Sequence, residues 1–204
     1  ITGQGKIHGS GDAHEAFIPW KEQAKGPRPF GLLLRRCRNL SLSGITLENS
    51  AYWMLRPTDC DDVAIRGIKI VNLSNFNNDG IDVVDCHRVV ISDCTLDCED
   101  DGICLKTYSG RGVTDVVISN CVVSSHARAI KISLPAVPGS RFDRIAVSNC
   151  IIKPSRATST LHPAQMIGGI SGIDLATSSR GAALTNVSVS NVVIDGVLTP
   201  IFMR

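Results

Sequence analysis

Six stretches of this chain repeat one apolar template. Centred on a hydrophobic-x-hydrophobic core, the pairs Leu40/Leu42, Val63/Ile65, Val89/Ile91, Val116/Ile118, Ile145/Val147 and Val187/Val189 superpose at successive offsets of 23, 26, 27, 29 and 42 residues. Such intervals are too long for a heptad and typical of stacked solenoid coils. Three positions before each core runs the column Cys37, Cys60, Cys86, Val113, Phe142, Leu184; three after it runs Ile45, Ile68, Cys94, Cys121, Cys150, Val192. Every member is apolar or a thiol, as like positions are when they pile into ladders inside a coil. The segments VVISDC, VVISNC and IAVSNC alternate, are β-branched and end in turn residues, so they read as short strands. The pattern predicts an all-β fold, a right-handed parallel β-helix in which each coil buries its face only against its neighbours.

The 204 residues with 43% hydrophobic content are enough for one elongated core, and 4% aromatic content suits narrow coils filled by Ile, Val, Leu and Cys. A net charge of +2, with no basic run or aromatic platform, argues against a nucleic-acid partner. The absence of a long apolar run argues against a membrane-spanning segment. Residues 1–204 are expected to form a single β-helix domain cut from a longer chain. A polar, Pro-containing excursion is expected around Trp20–Pro29, and a Ser/Thr/Pro-rich protruding loop at about 153–169. Exposed solenoid ends allow self-association but do not fix an oligomeric state.

The eight cysteines contain no CxxC pair and no zinc-ligand spacing. Six sit in the two ladder columns, where a free thiol acts as a small buried hydrophobe. Rung spacing also brings Cys60 within disulfide reach of Cys37 or Cys86.

Two adjacent copies carry aspartates at the same place: NNDGID at Asn77–Asp82 and CEDDGIC at Cys98–Cys104. Matching the copies pairs Asp79 with Asp101, Asn78 with Asp100 and Asp82 with Cys104. Rungs lie about 4.8 Å apart, so Asp79 and Asp101 are expected to be neighbours, with Asp100 beside them. Mutual repulsion should raise the pKa of at least one. A protonated carboxyl beside ionised ones is the equipment for acid/base hydrolysis of a glycosidic bond. A lone Asp-Gly turn is ordinary punctuation in a solenoid; two in register, the second with a consecutive Asp pair, point to use. Lys106 and Lys131 alternate with apolar neighbours and are expected on the same outward face, where they can meet an acidic sugar. Trp53 is placed either to stack a sugar ring or to close the core.

The order ITGQGKIHGSG, NNDGID, EDDGICLKT resembles the polygalacturonase family, glycoside hydrolase family 28, over nearly the whole chain. The resemblance implies a β-helix of the pectin-lyase-like superfamily, inverting hydrolysis, a pectin-type polysaccharide or oligosaccharide substrate and no cofactor or metal. It also implies a secreted or periplasmic protein. Carried over by motif, Asp100 is the general acid, Asp79 and Asp101 hold and deprotonate the attacking water, and Asn77 shapes the turn. The third motif departs: SSHARAIKIS offers His126 without flanking glycines, while the internal register sets Arg128 beside Asp101. Either residue can fill the family histidine's place of tuning the acid; His126 is preferred and stands with Asp79, Asp100 and Asp101 as a catalytic candidate. The fourth departs further, with Asp174 and Ala176 in GIDLAT where an Arg-Ile-Lys block would bind a uronate; an acid there would repel one, so a decorated or non-galacturonan glycan is an open alternative, and Asn77, Lys106, Arg128 and Lys131 are the substrate-binding candidates. Two other readings fit the same residues, a calcium-dependent polysaccharide lyase and a non-catalytic glycan-binding solenoid.

Overall fold

The computed structural model describes residues 1–13, 28–132, 136–157, 171–176 and 181–203. Parallel strands stack into a β-helix with three faces, two of seven strands and one of six among the described residues. One turn of the helix contributes a strand to each face: His87–Ser92, Thr95–Cys98 and Ile103–Lys106. The turn before it supplies Asp61–Arg66, Lys69–Asn72 and Ile81–Val84, and the turn after it Val113–Ser119, Val122–Ser125 and Arg128–Ile132.

The register is the one the repeat predicts. Leu40 pairs with Val63, Val63 with Val89, Val89 with Val116, Val116 with Ile145 and Ile145 with Val187. Leu42, Ile65, Ile91, Ile118 and Val147 form an interior column with at most 1% of any residue exposed. Each such side chain contributes about 1.5–3 kcal/mol by leaving water. All eight cysteines are free thiols, seven buried and Cys37 half-buried. The Cys37 main-chain N–H donates to Cys60 Sγ at 3.3 Å, so the first thiols of the ladder stack without a bond between them.

Corners are set by residues that tolerate positive φ. Asp93, Asn120, Asn149 and Asn191 occupy one corner at φ of +59°, +55°, +55° and +51°. Asn and Asp reach this region more readily than other side-chain-bearing residues. Their side chains hydrogen-bond rung to rung, Asn120 to Asp93 at 3.2 Å, Asn149 to Asn120 at 3.4 Å and Asn191 to Asn149 at 3.3 Å. Most of the 153–169 loop and the Trp20–Pro27 part of the N-terminal excursion lie outside the described residues. No helix among the described residues is long and apolar enough to cross a membrane.

Candidate active site

The two Asp-Gly turns fall at one corner, where Lys69–Asn72 passes to Ile81–Val84 and Thr95–Cys98 passes to Ile103–Lys106. Ile81 pairs with Ile103 and Asp82 with Cys104, while Gly80 N–H donates to Asp101 O and Ile81 N–H to Gly102 O, both at 2.9 Å. Asp79 and Asp101 therefore stand on adjoining rungs. Both glycines are demanded by close approach. A Cβ at Gly80 would lie 2.6 Å from Gly102 O, and one at Gly102 2.4 Å from Val123 Cγ1 and 2.5 Å from Ala129 O. The D-G pair thus lets the chain turn tightly enough to present the aspartate.

The acids and their cations are buried together, with Asp79 and Asp101 2% exposed, Asp100 6% and Lys106 3%. Lys106 and Lys131 do face the aspartates, but as partners rather than solvated groups. Lys106 Nζ lies 2.9 Å from Asp79 Oδ2 and also donates to Asp82 Oδ1. Lys131 Nζ lies 2.7 Å from Asp101 Oδ2. Uncompensated carboxylates at this depth would cost several kcal/mol each, so the alternation that points these lysines outward also neutralises the site.

The balance differs between the carboxyls. Burial raises Asp101, but Lys131, Lys106 and Arg128 outweigh it and hold the group below its ordinary value, ionised. Burial pushes Asp79 well above the usual range, the charge of Asp82 adds to this, and the one ammonium they share offsets it only in part. Asp82 is raised by burial for the same reason. Glu99, fully buried, is raised to about 8 by burial and by Asp100. The site thus holds Asp101 below the ordinary aspartate value beside Asp79, Asp82 and Glu99, which are raised above theirs. Among the described residues, Asp79 Oδ1 and Asp101 Oδ1 have no hydrogen-bond partner, which leaves each aspartate an acceptor position unfilled.

Arg128 lies at Asp101, as the internal register predicts, with Nη1 3.8 Å from Asp101 Oδ1. Its Nε donates to Asp174 at 2.6 Å, and Asp174 is completely buried. The acid that replaces an expected cation is therefore neutralised internally. His126 sits on the rung above Glu99, its main-chain N–H donating to Cys98 O at 3.1 Å. Asn77, at φ +57°, donates to Asp100 Oδ2 at 2.9 Å. Trp53 is 8% exposed and carries the Lys106 ammonium 3.6 Å above its ring, so its ring lies within the site frame.

Sequence reasoning missed several participants. Arg28 donates to Asn77 Oδ1 at 2.9 Å, to Ala51 O at 3.3 Å and also to Phe76 O. Its guanidinium is packed against Tyr52 and Phe76, 4.5 and 4.6 Å from their ring centres. Arg28 thereby fixes the Asn77 amide so that its NH₂ faces Asp100. No local pattern announces this, because Arg28 precedes the regular coils. Asp82 and Glu99 had a signal, the polar residue inside IDVV and the run of three acids. Asp79, Asp82 and Cys104 offer ligand atoms within 4.8 Å of one another. The Lys106 ammonium already sits between the two carboxylates, and a thiol is a poor partner for calcium, which prefers oxygen.

Parallel coils with carboxylates on successive rungs define a parallel β-solenoid that carries an acidic cluster at one corner. A profile described as glycosyl hydrolases family 28 matches residues 1–203, and the chain belongs to that family. It is 28% identical over 207 aligned residues to a probable polygalacturonase of Arabidopsis thaliana, covering all of this chain and 40% of that protein. It is 30% identical over 120 residues to a polygalacturonase of Juniperus ashei, covering 53% of this chain and 23% of the other. Among solved structures, an exopolygalacturonase of Thermotoga maritima aligns with TM-score 0.53 at 17% identity, over 89% of this chain and 56% of that one. The family 28 exopolygalacturonase of Yersinia enterocolitica gives TM-score 0.55 at 17% identity, over 79% and 34%. The chain spans less than half the length of these curated relatives.

Proposed function

We propose that this chain carries the reacting centre of an inverting glycoside hydrolase acting on pectic or related polysaccharide. Asp100 gives its proton to the glycosidic oxygen as that bond breaks, its Oδ2 held by Asn77. Asp101 takes a proton from the water attacking the opposite face of the sugar, and Asp79 holds that water. Asp101 is suited to the base role because Lys131, Lys106 and Arg128 together outweigh its burial and keep it ionised. Asp79 is given the positioning role because its Oδ2 is already taken by Lys106 Nζ at 2.9 Å, which leaves Oδ1 to hold the water.

The observation that carries the reading is geometric: Asp79 and Asp101 stand on adjoining rungs of one corner, both buried and each with an oxygen that has no hydrogen-bond partner, beside an Asp100 whose Oδ2 accepts from Asn77. Acid/base cleavage of a glycosidic bond uses one carboxyl as acid and another as base, and a cluster of this kind offers both. The polygalacturonases among the relatives favour a galacturonan-type substrate, and such a polymer calls for a secreted or periplasmic protein. Asp100→Asn should abolish reducing-end release from polygalacturonate, with the melting temperature kept, and NMR of wild-type digests should show the anomer inverted. Undiminished release by Asp100→Asn would remove Asp100 from the acid role.

A further inference from the structure

Lys106, Lys131 and Arg128 each pair with an aspartate of the site. Arg56 does not. It lies in the strand Leu55–Thr58, and since Leu55 pairs with Ile81, Arg56 follows the outward column of Asp82 and Cys104. Its guanidinium carbon stands 4.8 Å from the Phe30 ring centre, 5.1 Å from Trp53 and 5.5 Å from Tyr108. Among the described residues it forms no ion pair, and its Nε is buried without a hydrogen-bond partner. A buried donor left unpaired costs about 1–3 kcal/mol and calls for a ligand that pairs it.

We infer that Arg56 and Tyr108 form a glycan subsite next to the reacting carboxylates, one that takes the carboxylate of a neighbouring uronosyl residue. This rests on the hydrolase reading and extends it to residues outside the family motifs quoted above. The aromatic rings around the guanidinium leave its in-plane N–H groups to donate, the geometry that suits a bidentate carboxylate. Tyr108 is 50% exposed and offers a ring for the apolar face of the same sugar. Its turn is held rigid by Asp85, whose carboxylate accepts from Tyr108 N–H at 3.0 Å, Ser109 N–H at 3.1 Å and Gly112 N–H at 3.2 Å. Charge complementarity points the same way. A polyanionic substrate is repelled by the acids of the site, and Arg56 is a cation there that forms no ion pair among the described residues.

The test compares tetragalacturonate with its methyl ester on wild type, Arg56→Met, Arg56→Lys and Tyr108→Ala, with melting curves to confirm folding. Loss of a charge-assisted pair should lower the ratio of kcat/KM for acid over ester about tenfold or more in Arg56→Met, with partial recovery in Arg56→Lys. Tyr108→Ala should weaken both substrates alike. An unchanged ratio in a folded Arg56→Met overturns the subsite. Calorimetric titration of tetragalacturonate into the same proteins separates this from the activity: Arg56-dependent binding without turnover keeps the subsite and sinks hydrolysis. Binding that ignores Arg56 sinks the subsite whatever the turnover.

Discussion

Replacing Lys106 by Met tests the electrostatic account of the site most directly. The lysine side chain is 3% exposed, and its partners Asp79 and Asp82 are 3% and 0% exposed. Met fills most of the same volume, so the change removes charge rather than packing. Breaking a buried pair by deleting one member costs about 3–5 kcal/mol, and here two carboxyls lose the same cation. In a domain of this size about 2–4 °C of melting temperature follows each kcal/mol, so the midpoint at neutral pH should fall by about 6–20 °C. The pH dependence carries the sharper signature. Asp79 and Asp82 titrate above the ordinary aspartate value in the folded chain, so the folded state binds protons more tightly. Stability then declines as pH rises from the unfolded value through the folded one. Without the ammonium that decline steepens. The deficit against wild type is therefore largest at neutral pH and shrinks on acidification toward about pH 4, where unfolded aspartates also take up protons. Thermal melts followed by circular dichroism across this range measure it. A midpoint within about 2 °C of wild type at neutral pH, or a deficit that grows with acid, would refute the shared-cation account.

Gly102→Ala drives a methyl into Val123 Cγ1 at 2.4 Å and Ala129 O at 2.5 Å, and should cost about 1–3 kcal/mol together with most of the activity, because the same turn presents Asp101. A wild-type midpoint in chemical denaturation would show that the corner can relax. Arg28→Lys keeps the charge but loses the fork that orients Asn77 toward Asp100. With that donor loosened, the carboxylate form of Asp100 is less favoured, so the alkaline limb of the kcat profile should move to higher pH as kcat falls. A lower kcat with an unmoved profile would reduce Arg28 to a purely structural role.

The ladders were legible because they depend only on spacing. Every hydrophobic-x-hydrophobic pair found in the chain lies in register in the structure, from Leu40 with Val63 to Ile145 with Val187. The match of Asp79 to Asp101 followed from the same arithmetic, as did that of Arg128 to Asp101. The partners of those residues were not legible. That Lys106 serves Asp79 and Asp82 while Lys131 serves Asp101 depends on side-chain reach across rungs. The Arg128–Asp174 pair joins residues 46 positions apart. Arg28 reaches Asn77 across 49 positions, from outside the regular repeat.

The sequence by itself determined the coil, its interior columns and the rungs that bear acids, since a stacked repeat converts periodicity along the chain into neighbourhood in space. Only the tertiary structure decided which carboxyls are raised above their ordinary pKa and which is held below it. That choice turns on burial and on the nearest cation within a few ångströms, and both arise from side chains drawn from several turns of the helix. The same holds for Arg56, an ordinary outward residue of a strand until Phe30, Trp53 and Tyr108 close around it.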